Sequence, residues 1–138
     1  MKKDISQKSN TIKFAKEFSH LLKPGTPILL YGTLGVGKTF LTSQIIKELT
    51  NSNQEVPSPT FSIVQTYQSI KGEISHFDLY RIKNIDELFE LDIDTSLNNN
   101  ITIIEWPEII ENYIKEHFNP ICLFLKYENG KRTIEIIK

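Results

Sequence analysis

Three of the chain's six glycines fall within eight consecutive residues, Gly32-Thr33-Leu34-Gly35-Val36-Gly37-Lys38-Thr39. The run satisfies G-x-x-x-x-G-K-[ST] at every position, the spacing of a phosphate-binding loop. Glycine lets the backbone adopt φ > 0 and turn its N–H groups inward around an anion. A helix starting at the loop's end adds its positive pole at the same place. Lys38 would bridge β- and γ-phosphates as a point charge, and the Thr39 hydroxyl would ligate Mg²⁺. The candidate phosphate-binding set is therefore Gly32, Leu34, Gly35, Val36, Gly37, Lys38, Thr39 and Phe40.

Hydrolysis of a bound triphosphate needs carboxylates near the cation and the attacking water, and two stand out. Glu105 closes the apolar run Ile101 to Ile104, where it would hold Mg²⁺ through water, complementing Thr39; its alternative is an exposed acid at a strand end. Asp78 lies in His76-Phe77-Asp78-Leu79-Tyr80-Arg81, and period-two alternation sets His76, Asp78 and Tyr80 on one strand face. A carboxylate on a half-apolar strand is either functional or ion-paired, for instance with a nearby lysine. His76 by itself reads as a strand histidine. Thr60 follows the stiff Pro57-Ser58-Pro59 and suits a switch that senses Mg²⁺ and the γ-phosphate, or simple loop punctuation. Trp106, the single tryptophan, follows a candidate Mg²⁺ carboxylate directly and so reads as part of the site, with core or partner contact as the alternative. Arg132 would stack on adenine or touch phosphate, or stand as a solvated edge charge.

The base comes next. N-K-x-D and D-x-x-G, which a guanine-specific enzyme would carry, are missing, so ATP is favoured over GTP. A stand-alone small-molecule kinase would clamp phosphates with several arginines, and only Arg81 and Arg132 exist. A nucleotide-sensing adaptor without significant turnover is the other alternative.

These residues need elements to carry them. Apolar spacing predicts a helix over 9–22, capped by Ser9 or Asn10 and ended by Lys23-Pro24-Gly25. A buried strand over 27–31 leads into the loop, and a second helix starts at Lys38. Phe61 to Ser69 and Glu73 to Tyr80 read as a β-hairpin around Lys71-Gly72, followed by a short acidic helix over 85–91. Ile101 to Ile104 is another buried strand, and Pro107 opens a helix bearing Ile109, Ile110, Tyr113 and Ile114. Strands over 121–127 and 131–137 form a closing hairpin through Glu128-Asn129-Gly130. The expectation is an α/β fold: one P-loop NTPase-like domain over 1–138, with a mixed central sheet flanked by helices and β-hairpins.

Composition narrows the class further. At 138 residues the chain suits one core. A formal net charge of −1 argues against coating nucleic acid, so DNA is not an expected partner. No apolar run approaches a membrane span and no secretory h-region follows Met1, which together predict a cytoplasmic protein. The lone Cys122 excludes an internal disulfide.

Taken in order, the loop at 32–39, Ser58-Pro59-Thr60-Phe61, His76-Phe77-Asp78-Leu79-Tyr80-Arg81 and Glu105-Trp106-Pro107-Glu108 resemble the bacterial TsaE (YjeE) family. The resemblance implies a small P-loop ATPase that works with TsaD and TsaB in making threonylcarbamoyladenosine next to the tRNA anticodon. It implies ATP and Mg²⁺ as cofactors, with tRNA met only through the complex. Residue by residue, it implies phosphate and Mg²⁺ contacts for Lys38 and Thr39, a switch role for Thr60 with Ser58 and Pro59, and hydrolytic or Mg²⁺ roles for Asp78 and Glu105. Trp106 belongs to the same signature. Two departures stand out: Thr33 where the family usually has Asp or Asn, and no glycine near Asp92.

Overall fold

The structure, a computed structural model, describes residues 1–33, 35–50 and 62–138. Among the described residues the strands that carry the site form a single sheet. Its order is β1-β7-β6-β2-β5-β4-β3, with β1 at Lys2–Asp4, β2 at Ile28–Tyr31, β3 at Val64–Ser69, β4 at Gly72–Asp78, β5 at Ile101–Glu105, β6 at Ile121–Glu128 and β7 at Lys131–Ile137. β2 is parallel to both β5 and β6, and β4 is parallel to β5. The β3–β4 and β6–β7 hairpins and the β1–β7 pair are antiparallel. The sheet is mixed, as the alternation of elements predicts.

Strands β2 and β5 are buried at every position, which their unbroken apolar runs require. One face packs on α1 (Lys8–Ser19) and α2 (Lys38–Thr50). There Phe14, Phe18, Leu41 and Ile45 meet Ile28, Leu30, Ile103 and Leu123. The other face packs on α3 (Asp86–Glu90), α4 (Ile93–Asn99), a 3₁₀ turn at Pro107–Ile109 and α5 (Glu111–His117). On that side Leu88, Ile93, Leu97, Ile110 and Ile114 cover Leu29, Phe77 and Ile104.

Several boundaries differ from the sequence reading, each for a physical reason. The first helix begins at Lys8 after the extended Gln7, so Ser9 and Asn10 lie inside its first turn rather than capping it. It ends at Ser19 instead of residue 22, where the Lys71 ammonium donates to the carbonyls of Ser19, His20 and Leu22 at 2.9, 3.2 and 3.0 Å. A cation suits the negative end of a helix. The hairpin loop is Ile70-Lys71, one residue earlier than expected, because Ser69 pairs with Gly72. Asn129-Gly130 forms the closing turn with φ of 52° and 74°, as an Asn-Gly hairpin should. Pro107 opens a 3₁₀ turn before α5 rather than one continuous helix.

The missing glycine near Asp92 has a local answer. Asp92 itself takes the left-handed conformation (φ 59°, ψ 42°) between α3 and α4, and its Oδ1 accepts a bond from Thr95 Oγ1 at 2.8 Å. Asp is among the few L-residues that tolerate this region, through such local bonds.

Candidate functional site

Parallel strands aligned in register end together, and here β2, β4 and β5 do so. Leu30 pairs with Glu105, and Glu105 pairs with Asp78. The glycine loop leaves β2 at this same carboxyl edge, where ligands of open α/β sheets bind. Gly32 takes φ 151°, and a Cβ there would lie 2.8 Å from both the Leu125 carbonyl oxygen and Val36 Cγ1. Only glycine fits at that point. Gly35 and Gly37 have φ of 77° and 108°, with open space where a Cβ would stand. The loop feeds α2 at Lys38, and the N–H groups of a helix's first turn have no partner within that helix.

Lys38 is buried, with Nζ donating to the Gly32 carbonyl and sitting 3.5 Å from the centre of the Trp106 ring. Burial pulls its pKa below the usual lysine value, while Glu105, Glu108 and Asp78 oppose that shift. Trp106 reaches this position because it takes a left-handed conformation (φ 57°) directly after β5, which swings its ring over the loop. Tyr80, half exposed beyond the end of β4, packs on the same ring at 4.8 Å.

Glu105 is 1% exposed, which rules out the reading as a solvated strand-end acid. Its Oε1 accepts from Thr39 Oγ1 at 2.9 Å and its Oε2 accepts from His76 Nε2 at 2.6 Å. Asp78 is 5% exposed on the same face of the sheet, and its Oδ1 accepts from the Tyr80 N–H at 3.0 Å. Lys38, Thr39, Asp78, Glu105 and Trp106 thus lie together at this edge of the sheet. On the other side of the loop, Phe40 and Arg132 line a cavity of about 280 Å³ with Lys8, Thr11, Val36 and Gly37. A second cavity, about 440 Å³, runs from Gly32 and Thr33 past Trp106 and Glu108 to Phe124. Leu34, Ser58, Pro59 and Thr60 lie outside the described residues.

Sequence reasoning missed His76 as a member of this cluster. The signal was its spacing: two residues before Asp78 on a strand, hence on the same face. The parallel register then lays that face beside Glu105. Lys8 and Thr11, which border Phe40, carried no signal, because only the fold brings α1 beside the loop.

The donor set fits a small hard cation. Thr39 and Glu105 supply oxygen, and among the described residues no group of three His, Cys, Asp or Glu is placed to hold a metal. Mg²⁺ keeps several waters and takes few protein ligands, filling the rest from phosphate.

Strand, glycine loop, lysine and helix at the edge of a mixed sheet define a P-loop NTPase-like α/β fold. The model of the family described as threonylcarbamoyl adenosine biosynthesis protein TsaE matches residues 5–134, and the chain belongs to that family. The tRNA threonylcarbamoyladenosine biosynthesis protein TsaE of Rickettsia bellii is 44% identical over 132 residues, spanning 96% of this chain and 91% of its own. The protein of the same name from Rickettsia prowazekii is 40% identical over 134 residues, spanning 97% and 92%. Among solved structures, YdiB of Bacillus subtilis superposes with a TM-score of 0.70 at 26% identity, over 97% of this chain and 82% of that one.

Proposed function

We propose that this chain is the ATP-binding, Mg²⁺-dependent ATPase subunit of the assembly that makes threonylcarbamoyladenosine in tRNA, docking on the TsaD–TsaB pair and driving its cycle in the cytoplasm. The observation that carries the reading is the bond between Thr39 and Glu105, made at the glycine loop of a TsaE-family chain. It joins the two side chains that the phosphate-loop chemistry assigns to one cation. Gly32 to Thr39 cradle the phosphates, with Lys38 neutralising their charge. When bound, Mg²⁺ would supply positive charge that offsets the negative charge developing on the phosphates during hydrolysis. Thr39 and Glu105 would hold the ion, and Asp78, the second carboxylate at the same strand ends, would share the hydrolytic role with Glu105. Phe40 and Arg132, brought to one cavity, receive the base. Thr60 with Ser58 and Pro59 forms the switch, and Trp106 couples the site to the partners.

Two arginines give little charge compensation in the transition state, so turnover by the chain alone is slow. The test is Mg²⁺-dependent ATP hydrolysis by the protein alone, with TsaD–TsaB, and with the pair plus tRNA. The reading expects strong stimulation by the pair. Active partners that leave the rate unchanged would refute docking, and phosphate transfer to a metabolite without partners would favour a kinase instead.

A further inference from the structure

Within the site, His76 is one buried group beyond the phosphate and cation residues. It is fully buried on β4, and its Nδ1 has no hydrogen-bond partner among the described residues. A buried imidazole with one nitrogen unbonded is a poorer core filler than an aliphatic side chain of similar size. Its one strong bond goes to Glu105 Oε2 at 2.6 Å, and the other oxygen of that carboxylate accepts from Thr39 at 2.9 Å. A carboxylate accepts only, so both protons lie on the donors, Nε2 and Oγ1.

The consequence is directional. With its proton turned to Glu105, the Thr39 hydroxyl keeps its lone pairs for a cation. With Oε2 held by His76, Glu105 cannot rotate away from Thr39. We propose that His76 is a positioning residue: it locks the Glu105 carboxylate so that the Thr39 hydroxyl is oriented in advance to receive Mg²⁺. This rests on the assignment of Thr39 and Glu105 as the Mg²⁺ ligands. Partners of this kind behind metal ligands typically change metal affinity by about 10–100-fold.

The test measures affinity for a fluorescent ATP analogue, in EDTA and in Mg²⁺, for the full-length protein and three variants. The terminal amide of glutamine reaches where Nε2 stands, whereas that of asparagine ends near Nδ1, where no described residue accepts it. His76→Leu and His76→Asn are expected to lose the Mg²⁺-dependent tightening by about 10-fold or more, with EDTA affinity unchanged. His76→Gln restores most of it. If the leucine variant fails to fold, the Asn and Gln pair carries the comparison. Full Mg²⁺ dependence in the Asn variant, or no rescue by Gln, overturns the proposal while leaving the metal assignment intact. A wild-type protein that binds the analogue equally with and without Mg²⁺ overturns the metal assignment and the proposal with it. Failure of the wild-type protein to bind the analogue at all overturns the nucleotide reading itself.

Discussion

Replacing Glu105 separates what its carboxylate does for the fold from what it does for the site. In Glu105→Ala, His76 is stranded fully buried with neither ring nitrogen bonded, and a methylene is lost from a residue 1% exposed. The stranded imidazole costs about 1–3 kcal/mol and the methylene about 0.8 kcal/mol. Together these are a substantial part of a typical stability of about 5–15 kcal/mol. Glu105→Gln behaves differently. Its amide oxygen still accepts from His76 Nε2, and its amide nitrogen donates to Thr39 Oγ1, which changes from donor to acceptor. Every bond is kept, so stability stays within about 1 kcal/mol of wild type. The displaced Thr39 proton then takes one of the two positions left for a cation and the negative charge at residue 105 is gone, so Mg²⁺-dependent nucleotide affinity should fall by about 10-fold or more. Urea unfolding and analogue titration with and without Mg²⁺ measure both effects. A Gln variant as unstable as the Ala variant would refute the hydrogen-bond accounting. A Gln variant that keeps the full Mg²⁺ effect would refute the orientation of Thr39.

Gly32→Ala should lose about 1–3 kcal/mol, because φ 151° is nearly closed to L-residues and the new Cβ meets the Leu125 carbonyl oxygen at 2.8 Å; a change below about 0.5 kcal/mol in urea unfolding would contradict that geometry. Trp106 is a built-in reporter: phosphate draws the Lys38 ammonium off its ring, so ATP should change tryptophan emission in wild type but not in Lys38→Ala, and an equal response in both would refute the contact. Alkaline stability should also carry a signature. Burial raises Tyr31 and Tyr67 above the ordinary tyrosine pKa, the Tyr31 bond to Glu111 adds to this, and the bond to Asp94 raises Tyr113. Folded values above an unfolded value of about 10 mean that this stabilisation is intact below that pH and is lost as pH rises beyond it. The urea midpoint of wild type should therefore fall above about pH 10, and Tyr31→Phe should fall less; equal slopes would contradict the burial of Tyr31.

How much of this was legible in the sequence depended on whether local pattern or tertiary context decided the element. The loop, β2, β5 and the Asn129-Gly130 turn were legible, because glycine spacing, unbroken apolar runs and turn chemistry are local signals. The short β1 was not: Lys2-Lys3-Asp4 has no strand pattern and pairs because β7 offers an open edge. Nor was α4, whose Asp94, Thr95, Ser96 and Asn98 are weak helix formers. It is held by Ile93 and Leu97, four residues apart and both fully buried, and by the Tyr113 hydroxyl donating to Asp94. In the site, the types of Glu105 and Asp78 announced chemistry, and the parallel register brought them together. The bond between His76 and Glu105 spans 29 residues of chain and needed the register of β4 on β5 before it could be seen.

If nucleotide turnover at Lys38 drives tRNA modification, counting modified tRNA should show it. Purified TsaD–TsaB, tRNA, ATP and the threonylcarbamoyl donor would be combined with either the wild-type chain or Lys38→Ala. Wild type should give repeated rounds of modification, and Lys38→Ala no more product than the assembly itself in molar terms. Repeated rounds with Lys38→Ala, at the wild-type rate, would contradict a driving role for turnover.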